Sequence, residues 1–177
     1  MLPLISLWLL VFLTLLLVVT IFMHLWLRVP YVPTPRRVIE EAILMAKIEG
    51  KETVFDLGAG DGRVLLTLVR RFPQITAIGC ELVPTIWLLA VIRRFLSGKR
   101  YVLHLRAAEE EDVRSADVVF VYLFPHLLSA LTAKFDRELR PGTRVISHTF
   151  RFPGREPVEE KRVRGIAGET SLLLYRW

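Results

Sequence analysis

The apolar positions of the chain fall into two regimes. From Leu2 to Leu27 they are continuous: no Lys, Arg, Asp or Glu interrupts the run, and its polar side chains are Ser6, Thr14, Thr20 and His24. A helix of about 20 such residues crosses a bilayer core, and it satisfies its own backbone groups in lipid. The run predicts one transmembrane anchor over residues 1–27, with Trp8 and Trp26 near the two interfaces. The rival reading, a cleaved signal peptide, requires a basic n-region and a small-residue cleavage site. No Lys or Arg precedes this run, and residues 25–30 read LWLRVP. A buried core helix would seldom be apolar on every side.

Beyond the run the pattern becomes periodic. Residues 28–35, RVPYVPTP, hold three prolines and predict an extended linker. Helical spacing of Val38, Ile39, Ala42, Ile43, Met45 and Ala46 predicts a helix over 35–48, with Thr34 as N-cap, Pro35 in the first turn and Gly50 at its end. Short apolar runs then predict strands at 53–58, 75–81, 101–107, 116–124 and 143–150, with helices at 61–72, 84–96 and 126–139. Two further strands are expected near 158–164 and 171–176, with Gly165 and Gly168 between them. Strand–helix alternation implies a parallel α/β sheet with helices on both faces. The last two strands lack a helix between them and predict an antiparallel hairpin at the sheet edge. The expected organisation is an anchor (1–27), a linker and packing helix (28–50), and one Rossmann-like ligand-binding domain (51–177).

All 24 Lys and Arg and all 18 Asp and Glu lie after the apolar run, so the +6 net charge belongs to the domain. Arg28, Arg36 and Arg37 flank the run on its C-terminal side, and the positive-inside rule then places the domain in the cytoplasm. A basic surface beside a membrane is drawn to anionic headgroups; it also suits acidic partners or nucleic acid. The single cysteine, Cys80, excludes an internal disulfide.

The first strand of the domain runs into Asp56-Leu57-Gly58-Ala59-Gly60-Asp61-Gly62-Arg63. Open parallel sheets bind ligands beyond the carboxyl ends of their strands. Glycines there let the backbone approach a ligand closely, and the next helix offers unpaired N–H groups at its start. The loop is G-x-G-x-G, with Arg63 where a dinucleotide fold places its third glycine, so it is not the NAD pattern. No Walker G-K-S/T follows either. Asp56 can hold an ammonium group directly or through water. Glu81, ending the second strand, is placed to accept both ribose hydroxyls. After the third strand, Glu109 in the run 109–112 is the favoured acceptor for an adenine amino group. Gly58, Ala59, Gly60 and Asp61 complete the loop. Together these positions fit an adenosine carrying an amino-acid tail, S-adenosylmethionine. Asp61 has a second reading as a cap of the following helix, and the 109–112 run as a solvated loop. His104, His126 and His148 lie on separate elements without metal-ligand spacing to Cys80, so they read as structural and no metal is expected.

The segment DLGAGDGR (56–63) resembles motif I of seven-strand (class I) methyltransferases. YVPTP (31–35), VYLFP (121–125) and ELRPGTRVISHTFRFPGREPV (138–158) narrow the likeness. The combination, over residues 28–177, resembles the small protein-lysine methyltransferases. These include the mitochondrial enzymes acting on ATP synthase c-subunit and adenine nucleotide translocase, and their archaeal broad-specificity relatives. The resemblance implies methyl transfer to the ε-amino group of a protein lysine. It implies that Tyr31, Pro33, Thr34 and Pro35 lie over the cofactor near the substrate entrance. It also implies that Tyr122, Phe124 and Pro125 line the lysine channel, with Tyr122 nearest the chemistry. The sequence departs from the family after the third strand, where Ala107-Ala108-Glu109 replaces the usual acidic or glycine–acid pair.

Three functions compete. A protein-lysine methyltransferase at the cytoplasmic membrane face is the first, with a lysine-bearing protein as partner. A methyltransferase for a small molecule, lipid or RNA is the second; a domain of about 150 residues has little room for a separate RNA module, which disfavours nucleic acid. A non-catalytic cofactor-binding scaffold is the third. Tyr122 and Phe124 also have the plain alternative of being sheet-core residues.

Overall fold

The computed structural model describes residues 2–27 and 31–177, and within the first helix it describes the side chains of residues 6–22. Arg28, the start of the expected linker (28–30) and the side chain of Trp26 lie outside the described residues.

Helix α1 (Leu2–Leu27) is continuous. Its apolar side chains point outward on every side from Leu7 to Phe22, with Leu16 and Thr20 half-buried. Among the described residues, no helix is long and apolar enough to cross a membrane. The expected anchor over residues 1–27 is therefore not recovered as a membrane span among the described residues.

Helix α2 (Arg36–Met45) buries Val38, Ile39, Ala42, Ile43 and Met45 along one face, as the spacing predicts. Thr34 is not its cap. Pro35 occupies the N-cap position in an extended conformation, and no side chain caps the helix. Beyond it come β1 (Thr53–Leu57), α3 (Arg63–Arg71), β2 (Thr76–Glu81), α4 (Pro84–Ser97), β3 (Val102–Leu105), a 3-10 turn (Ala108–Glu110), β4 (Val118–Val121), α5 (Pro125–Glu138), β5 (Arg144–His148), β6 (Glu159–Arg164) and β7 (Glu169–Arg176). Pro84 opens α4, and Gly98 closes it in a left-handed conformation. Strand β4 is shorter than the apolar run suggests, because Phe124 becomes the N-cap residue of α5 and Pro125 opens that helix. Strand β5 stops at His148, and Thr149 takes a positive φ of 74°.

The sheet order is β3-β2-β1-β4-β5-β7-β6. Strands β1 to β5 pair in parallel, and β7 inserts antiparallel between β5 and β6. The hairpin is the one foreseen. Because β1 is flanked by β2 and β4, the chain reverses its winding there and leaves a crevice beyond the carboxyl end of β1.

Alternating side chains divide the core. Val54, Val118, Phe120 and Ile146 pack with Leu65, Leu68 and the apolar face of α2 on one side. Phe55, Leu57, Val119 and Val121 pack against Leu128, Leu131 and Phe135 on the other. Among the described helices α5 packs in this second layer, and aromatic rings extend it. Phe135 meets Trp177 edge-on at 5.2 Å and 89°, and Phe152 meets Tyr175 at 5.3 Å and 83°. The Tyr175 hydroxyl accepts from the Phe152 N–H at 3.2 Å. These rings cover sheet area that α5 alone leaves open.

Candidate active site

Residues at the ends of β1, β2 and β4, with segment 31–34, enclose a cavity of about 170 Å³. Of the residues expected at the site, Tyr31, Pro33, Thr34, Asp56, Gly58, Ala59, Gly60, Asp61, Glu81, Glu109 and Tyr122 line it, while Pro35, Phe124 and Pro125 do not. Pro35 is taken up at the start of α2. Phe124 turns toward His126 and Phe150, with ring centroids 6.3 and 5.6 Å away, and Pro125 begins α5.

The glycine loop is shaped by close approach. Gly58 has φ +80°, and a Cβ there would stand 2.8 Å from Leu123 Cδ2; Gly60 has φ +56°, and its Cβ would meet the Tyr31 ring at 3.0 Å. Side chains are strained in that conformation whatever the space. Glu81 holds the loop in place. Its Oε2 accepts from the Gly60 N–H at 3.0 Å and its Oε1 from the Val83 N–H at 2.9 Å. Glu81 also lines the cavity, and a carboxylate oxygen can accept more than one hydrogen bond.

Three carboxylates surround the loop in different states. Asp56 is 5% exposed, and its Oδ2 has no hydrogen-bond partner among the described residues. Burial, and then the charges of Glu81 and Asp61, push its pKa up to about 7. Such an acid is completed by a cationic ligand group, an ammonium above all. Asp61 is committed to protein partners. Its Oδ1 accepts from Arg63 Nε at 2.9 Å, and its Oδ2 from Arg63 Nη2 at 2.8 Å and Arg93 Nη2 at 2.6 Å. Burial would raise this carboxyl, but the hydrogen bonds and charges of the two arginines outweigh it and hold it below its ordinary value. Asp61 also accepts from the Arg63 N–H at 3.3 Å, so it serves the first turn of α3 although Gly62 is the N-cap residue. Its capping and site readings thus merge into a positioning role.

The acidic run after β3 sorts itself by burial. Glu111 is buried against His104 Nδ1 at 2.8 Å. Asp112 pairs with Arg114 at 3.2 Å. Glu109, on the 3-10 turn, faces the cavity. Cys80 also touches the cavity, but burial pushes its thiol up to about 12, so it is no nucleophile.

Four features escaped the sequence reading. Arg63 donates to the Thr34 carbonyl oxygen at 3.2 Å and so pins the proline segment over the loop. Arg93, 32 residues from Asp61, ties α4 to the same acid. Arg106 and His126 line the cavity. His148, expected to be structural, packs on Tyr122 with ring centroids 4.0 Å apart, beside a second cavity of about 30 Å³. Neither His148 ring nitrogen has a partner among the described residues, and burial pushes its pKa down to about 4. The arginine signal was local in the D-G-R triplet; the others depend on tertiary placement.

The orphaned Asp56 oxygen, the rigid Glu81 carboxylate and the glycine-backed crevice fit the ammonium, ribose and amino-acid backbone of S-adenosylmethionine. With the reversed last strand of the sheet, they define a class I S-adenosylmethionine-dependent methyltransferase. Residues 56–159 match the ANTKMT methyltransferase domain, and the chain belongs to that family. A protein-lysine N-methyltransferase of Saccharolobus islandicus is 34% identical over 139 residues, covering 77% of this chain and 86% of its own. The adenine nucleotide translocase lysine N-methyltransferase of Mus musculus is 32% identical, covering 75% of this chain and 58% of its own. The crystal structure of an RNA methyltransferase from Salinibacter ruber with S-adenosyl-L-homocysteine superimposes with a TM-score of 0.74 at 27% identity, covering 82% of this chain and 93% of its own.

Proposed function

We propose that this enzyme methylates the ε-amino group of lysine in proteins at a membrane surface, with α1 as its membrane anchor and the catalytic domain on the cytoplasmic side. The observation that carries the lysine reading is the similarity, over three quarters of the chain, to two lysine methyltransferases. The site supports it. The cofactor supplies an activated methyl group, so the protein's work is placement and dehydration. Glu81 fixes the ribose, Asp56 receives the ammonium, and Glu109 stands toward the adenine. Tyr31 and Tyr122 wall the cavity with aromatic surface. An incoming lysine loses its proton more readily there, because burial disfavours the charged amine. Tyr122 accepts a hydrogen bond from that amine, and segment 31–34 covers the site.

The anchor reading is supported by the charge-free run from Leu2 to Leu27 and by the outward apolar surface of α1. The orientation reading rests on Arg28, Arg36 and Arg37.

An RNA substrate is the second reading, favoured by the +6 charge and by the Salinibacter likeness. The test is transfer of a tritiated methyl group from S-adenosylmethionine by the full chain into membrane extracts, followed by separation of protein, lipid and RNA. Base-stable label in protein as methyl-lysine, absent with Glu81→Ala, is the expected result. Label confined to RNA or lipid overturns the lysine reading.

A further inference from the structure

The outer face of α4 is apolar where a water-facing helix carries polar groups. Leu88, Leu89, Ile92, Phe95 and Leu96 are 36, 42, 47, 83 and 77% exposed. Spacings of three and four residues place them on one stripe. Ala90 is the fully buried residue of this helix, whereas α3 buries five of its nine. Contiguous apolar surface of this kind marks an interaction site.

Two observations identify what covers it. First, α1 packs on α4: the Thr20 hydroxyl donates to the Thr85 hydroxyl in the first turn of α4 at 2.6 Å. Two uncovered apolar surfaces, α1 and the α4 stripe, therefore adjoin. Second, Lys99 and Arg100 follow the stripe, are exposed, and have no ion-pair partner among the described residues. An apolar stripe ending in unpaired cations complements an anionic lipid surface. Amphipathic helices of this pattern lie about 5–10 Å into the headgroup–acyl boundary, and each Lys or Arg near such a surface strengthens binding about five-fold.

We infer that the α4 stripe lies in the interfacial layer of an anionic bilayer beside α1, with Phe95 and Leu96 at the acyl boundary and Lys99 and Arg100 among the phosphates. The inference rests on the reading of α1 as a membrane anchor and adds a second contact to it. Its consequence is geometric. Val83 and Ile86, at the start of α4, line the cofactor cavity, so a docked α4 holds the site at the membrane plane. Its substrate lysines then lie at the bilayer surface.

Cys80 is the sole cysteine and is buried, so one introduced cysteine can carry a spin label on the full chain. Phe95→Cys is labelled in nanodiscs of phosphatidylcholine with phosphatidylglycerol, with Ile166→Cys, 64% exposed between β6 and β7, as the aqueous control. The expected result is a Phe95→Cys label relaxed by oxygen more than by a water-soluble nickel chelate, and the reverse for Ile166→Cys. Adding Lys99→Ala and Arg100→Ala weakens docking about 25-fold and moves the label toward the chelate. Preference for the chelate at Phe95→Cys, in a chain that co-purifies with nanodiscs, overturns the docking and leaves the anchor intact. A chain that stays off the nanodiscs overturns both. A label shielded from both reagents shows a second copy on the stripe and also overturns the proposal.

Discussion

The Arg63 guanidinium donates to the Thr34 carbonyl oxygen at 3.2 Å while it grips both oxygens of Asp61. One side chain thus couples the glycine loop to the proline segment that covers it. Lysine keeps the charge but lacks the planar fork needed to span both partners. Arg63→Lys is predicted to raise KM for S-adenosylmethionine about tenfold, the worth of about one hydrogen bond, and to leave the unfolding midpoint nearly unchanged. Steady-state kinetics with calorimetric unfolding checks this; an unchanged KM would sink the latch role.

Glu81 accepts from two backbone N–H groups and lines the cavity. In Glu81→Gln, an amide NH₂ must stand where one oxygen accepted. Hydrogen bonds to charged groups contribute about 1.5–3 kcal/mol, so titration calorimetry should show Kd for S-adenosylmethionine rising about 10- to 100-fold. Binding at wild-type strength would remove Glu81 from the ribose site.

Tyr122 lies between the cavity and His148. Tyr122→Phe retains the ring and should change kcat only a few-fold. Tyr122→Ala opens the wall to water and releases the amine from alignment, and misplacement of that kind costs up to about 100-fold. Equal losses in both variants, measured in single turnover, would instead assign the effect to the hydroxyl.

The contiguous features of this enzyme were legible in its sequence. The D-L-G-A-G-D-G-R loop, the acid ending β2 and the succession of strands and helices along the chain follow from local spacing, whereas the order of the strands within the sheet does not. Cross-chain pairings were not legible. Nothing near Asp61 announces Arg93, and nothing in R-V-I-S-H tells that His148 ends up against Tyr122. The N-cap of α2 was misplaced because Pro35, with its φ already fixed, takes the position that the Thr34 hydroxyl seemed to offer. Phe124 and Pro125, which the resemblance places at the lysine channel, stand at the start of α5 and do not line the cofactor cavity.

The aromatic layer over the second sheet face makes a stability prediction. Phe152 is 1% exposed and packs on Phe135, Tyr175 and Trp177. Phe152→Ala should cost about 3–5 kcal/mol in denaturant unfolding, with kcat of the remaining folded protein unchanged. A loss below about 1 kcal/mol would mean the loop collapses into the gap.

Asp56 and His148 give the ligand-free enzyme two opposed pH dependences. Burial and then the Glu81 and Asp61 charges raise Asp56 from 3.8 to about 7, so the folded state binds more protons than the unfolded one across that window. Its contribution to stability is complete at the acidic end and is lost as pH rises through about 7. Burial lowers His148 from 6.5 to about 4, so here the unfolded state binds more protons. Its contribution is complete above 6.5 and is lost as pH falls through about 4. The two slopes offset each other where the windows overlap. Removing either group should expose the other. Asp56→Asn should give a Tm that climbs as pH rises from about 4 to 6.5. His148→Gln should give one that falls as pH rises from about 4 to 7. S-adenosylmethionine, by placing an ammonium beside Asp56, should lower that carboxyl and flatten the fall in His148→Gln. Thermal unfolding of the three proteins across this range decides it: parallel profiles would show that neither group is held in the shifted state.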